Sequence, residues 1–439
     1  MGIPQAVFGV GSVSYRKRRI NWVSVISLLI ALISVSVLIY DHYGVPKQIY
    51  QLPIFPRPTP TATPVIDDGA ATLAKADALF DQGKLDEAAE QYRQTVTTIE
   101  KAYADFTLLA DKLAAKGNTE EATARQNDAQ KALLRAATAY TRWCKILALR
   151  QKAAEAITYC NRAIEINSRS PEAYAFLALA YDRNNEFDKA IAAAQRAIDL
   201  DANYAEGYAF QAEAYADKSP FDKRNLETAT KAIQINDKSA FAQRNLGWVY
   251  ESEGKYAQAA QAYARAVELM PNLSYFYMDL CRAQKARGLS DEAITACQKA
   301  TEVDPQNAEA YDRLGQLYFD RLDNQKALEQ FQKAVDSDPS YALAYGHLGW
   351  VYYFRLNSWE KATEAFQKAL ELGESKLSAG TVAEFYTELG WSYYRLARCT
   401  DARPLFDKAI GLMTRNPGPG SGNIIQQAQD GLSACQGKK

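Results

Sequence analysis

Six cysteines, at positions 144, 160, 281, 297, 399 and 435, are the residues of this chain best placed to do chemistry, and their even number suits pairing into bridges. Little else is equipped to react. The two histidines, His42 and His347, lie far apart in sequence and cannot by themselves form a metal site. No GxxxxGK[ST], HExxH, CxxC or GxSxG pattern occurs. The run GPGSG (418–422) comes after a helical stretch rather than a strand, so it reads as a hinge and not as a phosphate loop. No pair of carboxylates stands out from a background of scattered acidic residues. The expectation is a non-enzymatic protein with no cofactor and no metal.

Composition narrows the partners. The 439 residues carry 51 basic and 52 acidic side chains, so there is no global field to attract nucleic acid. Tyrosine is abundant, at 27 residues. One segment departs from this soluble composition. Trp22–Tyr40, WVSVISLLIALISVSVLIY, carries no charge and would make a helix of about 28 Å, close to the thickness of a hydrocarbon core. Trp22 stands at one end with Tyr40 and Tyr43 at the other, and Arg16-Lys17-Arg18-Arg19 precedes the span. Those charges predict a cytoplasmic N-terminus and an extracytoplasmic remainder, periplasmic or extracellular. A cleaved signal peptide is the alternative, but its apolar core is usually shorter and followed by small residues.

The rest of the chain must position whatever binds. Residues 1–20 read as a cytoplasmic tail, 21–43 as a transmembrane helix, and 44–68, rich in proline and threonine, as an extended linker. From 69 to 416 the pattern is helical and periodic. Alanines recur at Ala129, Ala163, Ala197, Ala232, Ala266, Ala300, Ala334, Ala369 and Ala409, with a step of 34 that is stretched by one residue twice and by six before the last. A second alanine precedes most of them by seven; Asn225 breaks that series. Small residues at Ala178, Gly247, Cys281, Gly315 and Gly349 mark where paired helices approach closely. Residues 417–439 read as a hinge and a terminal cap helix.

This period, with copies such as YESEGKYAQAAQAYARAVELMPN (250–272) and unit-ending Pro271, Pro305 and Pro339, resembles the tetratricopeptide repeat family. The resemblance implies an all-α, right-handed superhelical solenoid of about ten helical hairpins. The units begin near 69, 103, 137, 171, 205, 240, 274, 308, 342 and 383, and the first two are degenerate. Numbered as the family numbers its units, Cys144 and Cys160 take positions 8 and 24 of the third, and Cys281 and Cys297 the same positions of the seventh. These face each other across an antiparallel hairpin. Bridges Cys144–Cys160 and Cys281–Cys297 are therefore expected, with Cys399–Cys435 a third. Buried thiols in a reducing compartment would be the alternative.

The resemblance also implies a concave groove lined by first helices. Its family positions hold Phe176, Phe210, Phe241, Trp248, Phe319, Trp350, Tyr353, Phe354, Trp391 and Tyr394. Such rings suit binding hot spots, although rings at helical spacing also serve to pack one unit on the next. The expected function is a membrane-anchored, extracytoplasmic scaffold that takes a protein or peptide in this groove. A glycan- or cell-wall-binding protein, and a structural subunit of a larger membrane complex, are the rivals. Oligomeric state is not legible.

Overall fold

The computed structural model describes residues 66–436, all of them helical or in the turns between helices. The expected membrane helix at Trp22–Tyr40, the tail before it and nearly all of the linker lie outside the described residues. Among the described residues no helix is long and apolar enough to cross a membrane.

Among the described residues nineteen α-helices follow one another: α1 (Ala70–Asp81), α2 (Leu85–Ala115), α3 (Thr119–Leu149), α4 (Ala153–Ile166), α5 (Pro171–Arg183), α6 (Phe187–Leu200), α7 (Ala205–Lys218), α8 (Lys223–Ile235), α9 (Ala240–Ser252) and α10 (Tyr256–Leu269). Then come α11 (Ser274–Ala286), α12 (Ser290–Val303), α13 (Ala308–Asp320), α14 (Asn324–Ser337), α15 (Ala342–Trp350), α16 (Trp359–Gly373), α17 (Ala379–Arg395), α18 (Cys399–Arg415) and α19 (Ser421–Gln436). From α5 onward the helices pair as antiparallel hairpins in the expected phase.

The start of the array departs from that phase. The turns expected near 103 and 137 are absent, and the second helix of each of the first two units runs straight into the first helix of the next. Hence α2 and α3 have 31 residues each, where later helices have 9 to 17. The reason is chemical. Neither segment contains a glycine or proline, so nothing stops the helix. Later units carry both stop and start signals. Pro171 occupies the first turn of α5 behind the cap Ser170, and the side chains of Ser239 and Asn307 accept hydrogen bonds from the N–H groups of Ala242 and Ala310.

Each hairpin is built around one close contact. A methyl group on Gly315 would lie 2.6 Å from the Phe331 ring, and one on Gly247 would lie 2.7 Å from Tyr263. Only hydrogen fits there. Gly349 against Phe366 and Gly390 against Phe406 repeat the contact in the last two units. In the third and seventh units the same slot holds a disulfide instead. Cys144–Cys160 and Cys281–Cys297 each span 16 residues with Cα atoms 5.4 Å apart, and Cys399–Cys435 is bonded as well.

The one-residue stretch before Ala369 also has a structural cause. Val351–Arg355 forms a π-helical turn, which accommodates one extra residue within a helix without breaking it. At Asn225, the exception in the alanine series, the buried side-chain amide donates to the carbonyls of Ser219 (2.9 Å) and Pro220 (3.2 Å) and closes the preceding turn.

The array folds back so that its first helices meet α10 to α13. Asn272 donates to the carbonyl of Asp81 at 2.7 Å, Arg150 pairs with Asp304 at 2.7 Å, and Gln151 donates to Glu309 at 3.0 Å. Gly83, at φ 76°, allows its turn to touch the Asn272 carbonyl.

Candidate functional site

The first helices of successive units form one wall, and its middle stretch is already occupied. Phe176, Phe210, Phe241 and Phe276, from α5, α7, α9 and α11, form a ladder with ring centroids 5.5, 5.8 and 5.5 Å apart. All four are buried. The chain's own N-terminal helices cover them. Phe80 of α1 packs against this core, and the ammonium of Lys145, on α3, lies 4.3 Å from the Phe80 centroid, 5.2 Å from Phe176 and 5.1 Å from Phe241. Burial pulls the Lys145 ammonium below its usual range, against the raising influence of Glu172 and Glu206.

Beside the ladder runs a line of ion pairs. Arg183 donates to Glu213 at 2.7 Å, and Arg244 contacts Glu213 and reaches Asp279 at 2.7 Å. Arg282 joins Asp279 (2.9 Å) to Glu251 (2.6 Å). Trp248 is wedged into this line. Its ring lies 5.1 Å from the Arg244 guanidinium and 4.8 Å from that of Arg282, and its indole N–H donates to Asp217 at 2.6 Å. Burial opposes the charge on Glu213, but Arg183 and Arg244 overcome it and hold the carboxyl low. Asp182 moves the other way: burial, then Glu213 and Asp217, push it well above the carboxylate range.

Asp182, Glu213 and Asp217 place carboxylate oxygens within 4.8 Å of one another, a spacing that could hold a metal ion. The arginines on Glu213 and the indole on Asp217 already supply positive charge and donors there. That donor set suits a closed ion ladder, not a cation site. The cations Arg244, Arg282, Lys285 and Arg313 are all paired within the chain, the last two with Asp320 and Glu309.

The wall opens at its C-terminal end. A cavity of about 410 Å³ lies between α13, α15, α17 and the start of α19. Phe319, Trp350 and Phe354 supply its aromatic side, Glu384 and Glu388 its acidic side, and Asn423, Ile424 and Gln427 of the cap helix its rim. Phe354 belongs to the π-helical turn and is 50% exposed, with its ring edge-to-face against Tyr353 at 4.8 Å. Trp350 is held between His347 (4.8 Å) and Phe385 (6.3 Å), and the His347 Nδ1 lies 2.6 Å from Asp312. Trp391 and Tyr394 meet edge-to-face at 5.4 Å on the neighbouring helix α17, and Trp391 leans on Phe406.

Glu384 and Glu388 stand one helical turn apart on α17, so both side chains project on the same side. Among the described residues neither carboxylate has a hydrogen-bond or ion-pair partner, in contrast to the paired acids of the middle stretch. Burial raises Glu388 to about 7, and Glu384 adds to the rise. Glu384 is itself raised by burial, with His347 pulling it down. The Arg355 guanidinium lies over the Phe319 ring, 4.4 Å from its centroid.

The cap helix forms one side of this cavity because it is fastened at its far end. Cys399–Cys435 ties that end to the turn before α18, and Gly431 lets α19 approach the Phe406 ring, where a methyl group would lie at 2.3 Å. Of the ten rings expected in the groove, Phe319, Trp350 and Phe354 meet in one cavity, with Tyr353, Trp391 and Tyr394 beside it. Phe176, Phe210 and Phe241 join the buried ladder, and Trp248 joins the ion line. Sequence reasoning missed Glu384, Ile424 and Gln427. The i,i+4 spacing of Glu384 and Glu388 was the available signal.

Models of the tetratricopeptide repeat match residues 67–104, 171–204, 240–273, 269–340 and 313–376. Among solved structures, the fold is similar to the APC/C hetero-tetramer Cut9-Hcn1, 16% identical over 91% of this chain and 81% of that chain, with a TM-score of 0.51. It is also similar to the human IFIT1 dimer with m7Gppp-AAAA, 15% identical over 80% of this chain and 91% of that one, with a TM-score of 0.50. YrrB, described as a TPR protein with an unusual peptide-binding site, is 28% identical over 42% of this chain and 95% of its own, with a TM-score of 0.31. No curated protein sequence matches the chain.

Proposed function

We propose that this chain, an array of tetratricopeptide repeats, is a membrane-tethered scaffold that holds a segment of a partner protein at the open C-terminal end of its concave wall. One observation carries the reading. The phenylalanine ladder in the middle of the wall is covered by the chain's own helices, whereas Phe319, Trp350, Phe354, Glu384 and Glu388 line a cavity that no described residue fills. Aromatic rings beside unpaired polar groups are the composition of a binding hot spot.

Two further observations support the compartment. Three disulfides account for all six cysteines, and such bonds persist in oxidising compartments. The basic flank before Trp22–Tyr40 gives the same direction through the positive-inside rule. A tether of this kind raises the partner's effective concentration at the membrane without demanding a tight intrinsic affinity. No catalytic role is assigned.

The test is recovery of the partner on full-length protein extracted in mild detergent, comparing wild type with Trp350→Ala, Trp391→Ala and the exposed Phe354→Ala. Recovery should fall in all three. Unchanged recovery with Phe354→Ala and Trp350→Ala would remove the cavity from the binding surface.

A further inference from the structure

We infer that the cavity between α13, α15, α17 and α19 recognises a basic side chain, a lysine or arginine of the partner segment, through the Glu384 and Glu388 carboxylates and the faces of Trp350, Phe319 and Phe354. This inference rests on the function proposed above and names the chemistry of its partner.

The argument begins from what is unusual about the two acids. Elsewhere in this wall Glu213, Asp279 and Glu251 each meet an arginine, Asp312 meets His347, and Asp217 accepts from the Trp248 indole. Glu388 has none. Burial and the like charge of Glu384 both act against its ionised form, and no neighbouring cation relieves it. The charged and titratable groups around it are Glu384 and, two turns on, Arg395 of its own helix, the latter bonded to Tyr353, with His347, Tyr353 and Arg355 on α15 and its π-helical turn; α19 contributes only the uncharged Asn423, Ile424 and Gln427 to the lining. A cation entering the cavity would supply the missing counter-charge.

The aromatic side favours the same ligand. Ring faces attract cations by their quadrupole, and this chain already uses that contact internally, with Lys145 over Phe80 and Arg282 over Trp248. Acid on one side and rings on the other suit a long side chain whose methylenes lie on the rings while its charged head meets the carboxylates. A purely apolar ligand would leave both acids buried and unpaired, which is costly. An acidic ligand would meet two like charges.

The experiment uses the full chain in detergent micelles and three fluorescein-labelled octapeptides, (Lys-Gly)4, (norleucine-Gly)4 and (Glu-Gly)4, followed by fluorescence anisotropy at moderate salt. The lysine peptide should bind at least ten-fold more tightly than the norleucine peptide, and the glutamate peptide should not bind. Glu384→Gln/Glu388→Gln should remove that preference, while Glu329→Gln, an exposed acid on α14, should not. Gln427→Lys leaves both acids in place and supplies a cation from α19, so it should also weaken the lysine peptide about ten-fold, and it guards against a folding defect in the double variant. Equal binding of the lysine and norleucine peptides would overturn the inference. So would a preference that survives the double variant in a protein with an unchanged melting curve. If partner recovery still falls with Phe354→Ala, the cavity remains the binding surface and only its basic ligand is lost; if recovery is unchanged as well, both ideas fail.

Discussion

The guanidinium of Arg150 meets the carboxylate of Asp304 at 2.7 Å, joining the turn after α3 to the end of α12, and both groups are largely shielded from solvent. The same guanidinium also reaches Asp86 at 2.7 Å. Together with Asn272 on the Asp81 carbonyl, this contact makes the N-terminal helices a cover for the phenylalanine ladder in the middle of the wall.

Arg150→Ala should therefore cost about 2 kcal/mol, mostly because Asp304 would be left buried without a partner. Hydrogen exchange reads the effect locally. The turns at 82–84 and 271–273 should lose protection, while α17 to α19 should not. Uniform loss along the whole array would mean that the first helices are not a separate closing contact.

The shared slot in the hairpins predicts an exchange of covalent for packed contacts. Each of the two hairpin disulfides closes a loop worth about 3 kcal/mol through the unfolded chain. Cys281→Gly with Cys297→Phe should recreate the Gly315–Phe331 contact in the seventh unit. That double variant should melt close to the wild type measured under reductant, and either single change should melt lower. In the opposite direction, Gly315→Ala should destabilise by about 1–3 kcal/mol, because the ring it meets has no room to retreat.

Glu388 gives a pH dependence with a definite sign. Its carboxyl titrates at about 7 in the fold and near ~4.3 in an unfolded chain, so the folded state binds the proton more tightly. The stabilisation from that proton is fully present below the unfolded value and is lost as pH rises through about 7. Melting temperatures at pH 5 and pH 8 should therefore differ more for wild type than for Glu388→Gln. An equal difference in the two proteins would show that the acid is not perturbed.

The ion line makes a contrasting prediction for two neighbouring acids. Asp182 is held protonated by burial and by its acidic neighbours, so Asp182→Asn should change the urea midpoint little at pH 7. Glu213→Gln should lower it sharply, by about 3–5 kcal/mol in stability, because Arg183 and Arg244 would lose their shared carboxylate. Similar losses in both variants would contradict the assignment.

Much of this architecture is legible in the residues, for reasons that differ along the chain. Small residues at positions 8 and large rings at positions 24 recur because two helices can cross closely only with hydrogen or sulfur at the contact, so spacing locates the hairpins from residue 171 onward, and the unit numbering of the family it resembles places two of the bridges. The missing turns near 103 and 137 were harder to foresee. Alanine periodicity continues through α2 and α3, and only the lack of glycine and proline there distinguishes a continuous helix from a hairpin. Groove residues were legible as positions but not as environments. Phe210 and Phe354 occupy comparable sites on first helices, yet one is buried and the other is 50% exposed, because the N-terminal helices return over the former. That return depends on contacts such as Arg150–Asp304, which no local pattern announces. The acidic half of the cavity was equally hidden, since Glu384 and Glu388 gain meaning only when α19 is folded against them.

Site-specific photo-crosslinking in intact cells tests the central claim most directly. A photoreactive phenylalanine analogue placed at Phe354 should capture the partner in a discrete adduct, and the same analogue at the exposed Gln332 on the second helix of its unit should not. Adducts of equal yield at both positions, or at Gln332 alone, would contradict a partner held at the open end of the concave wall.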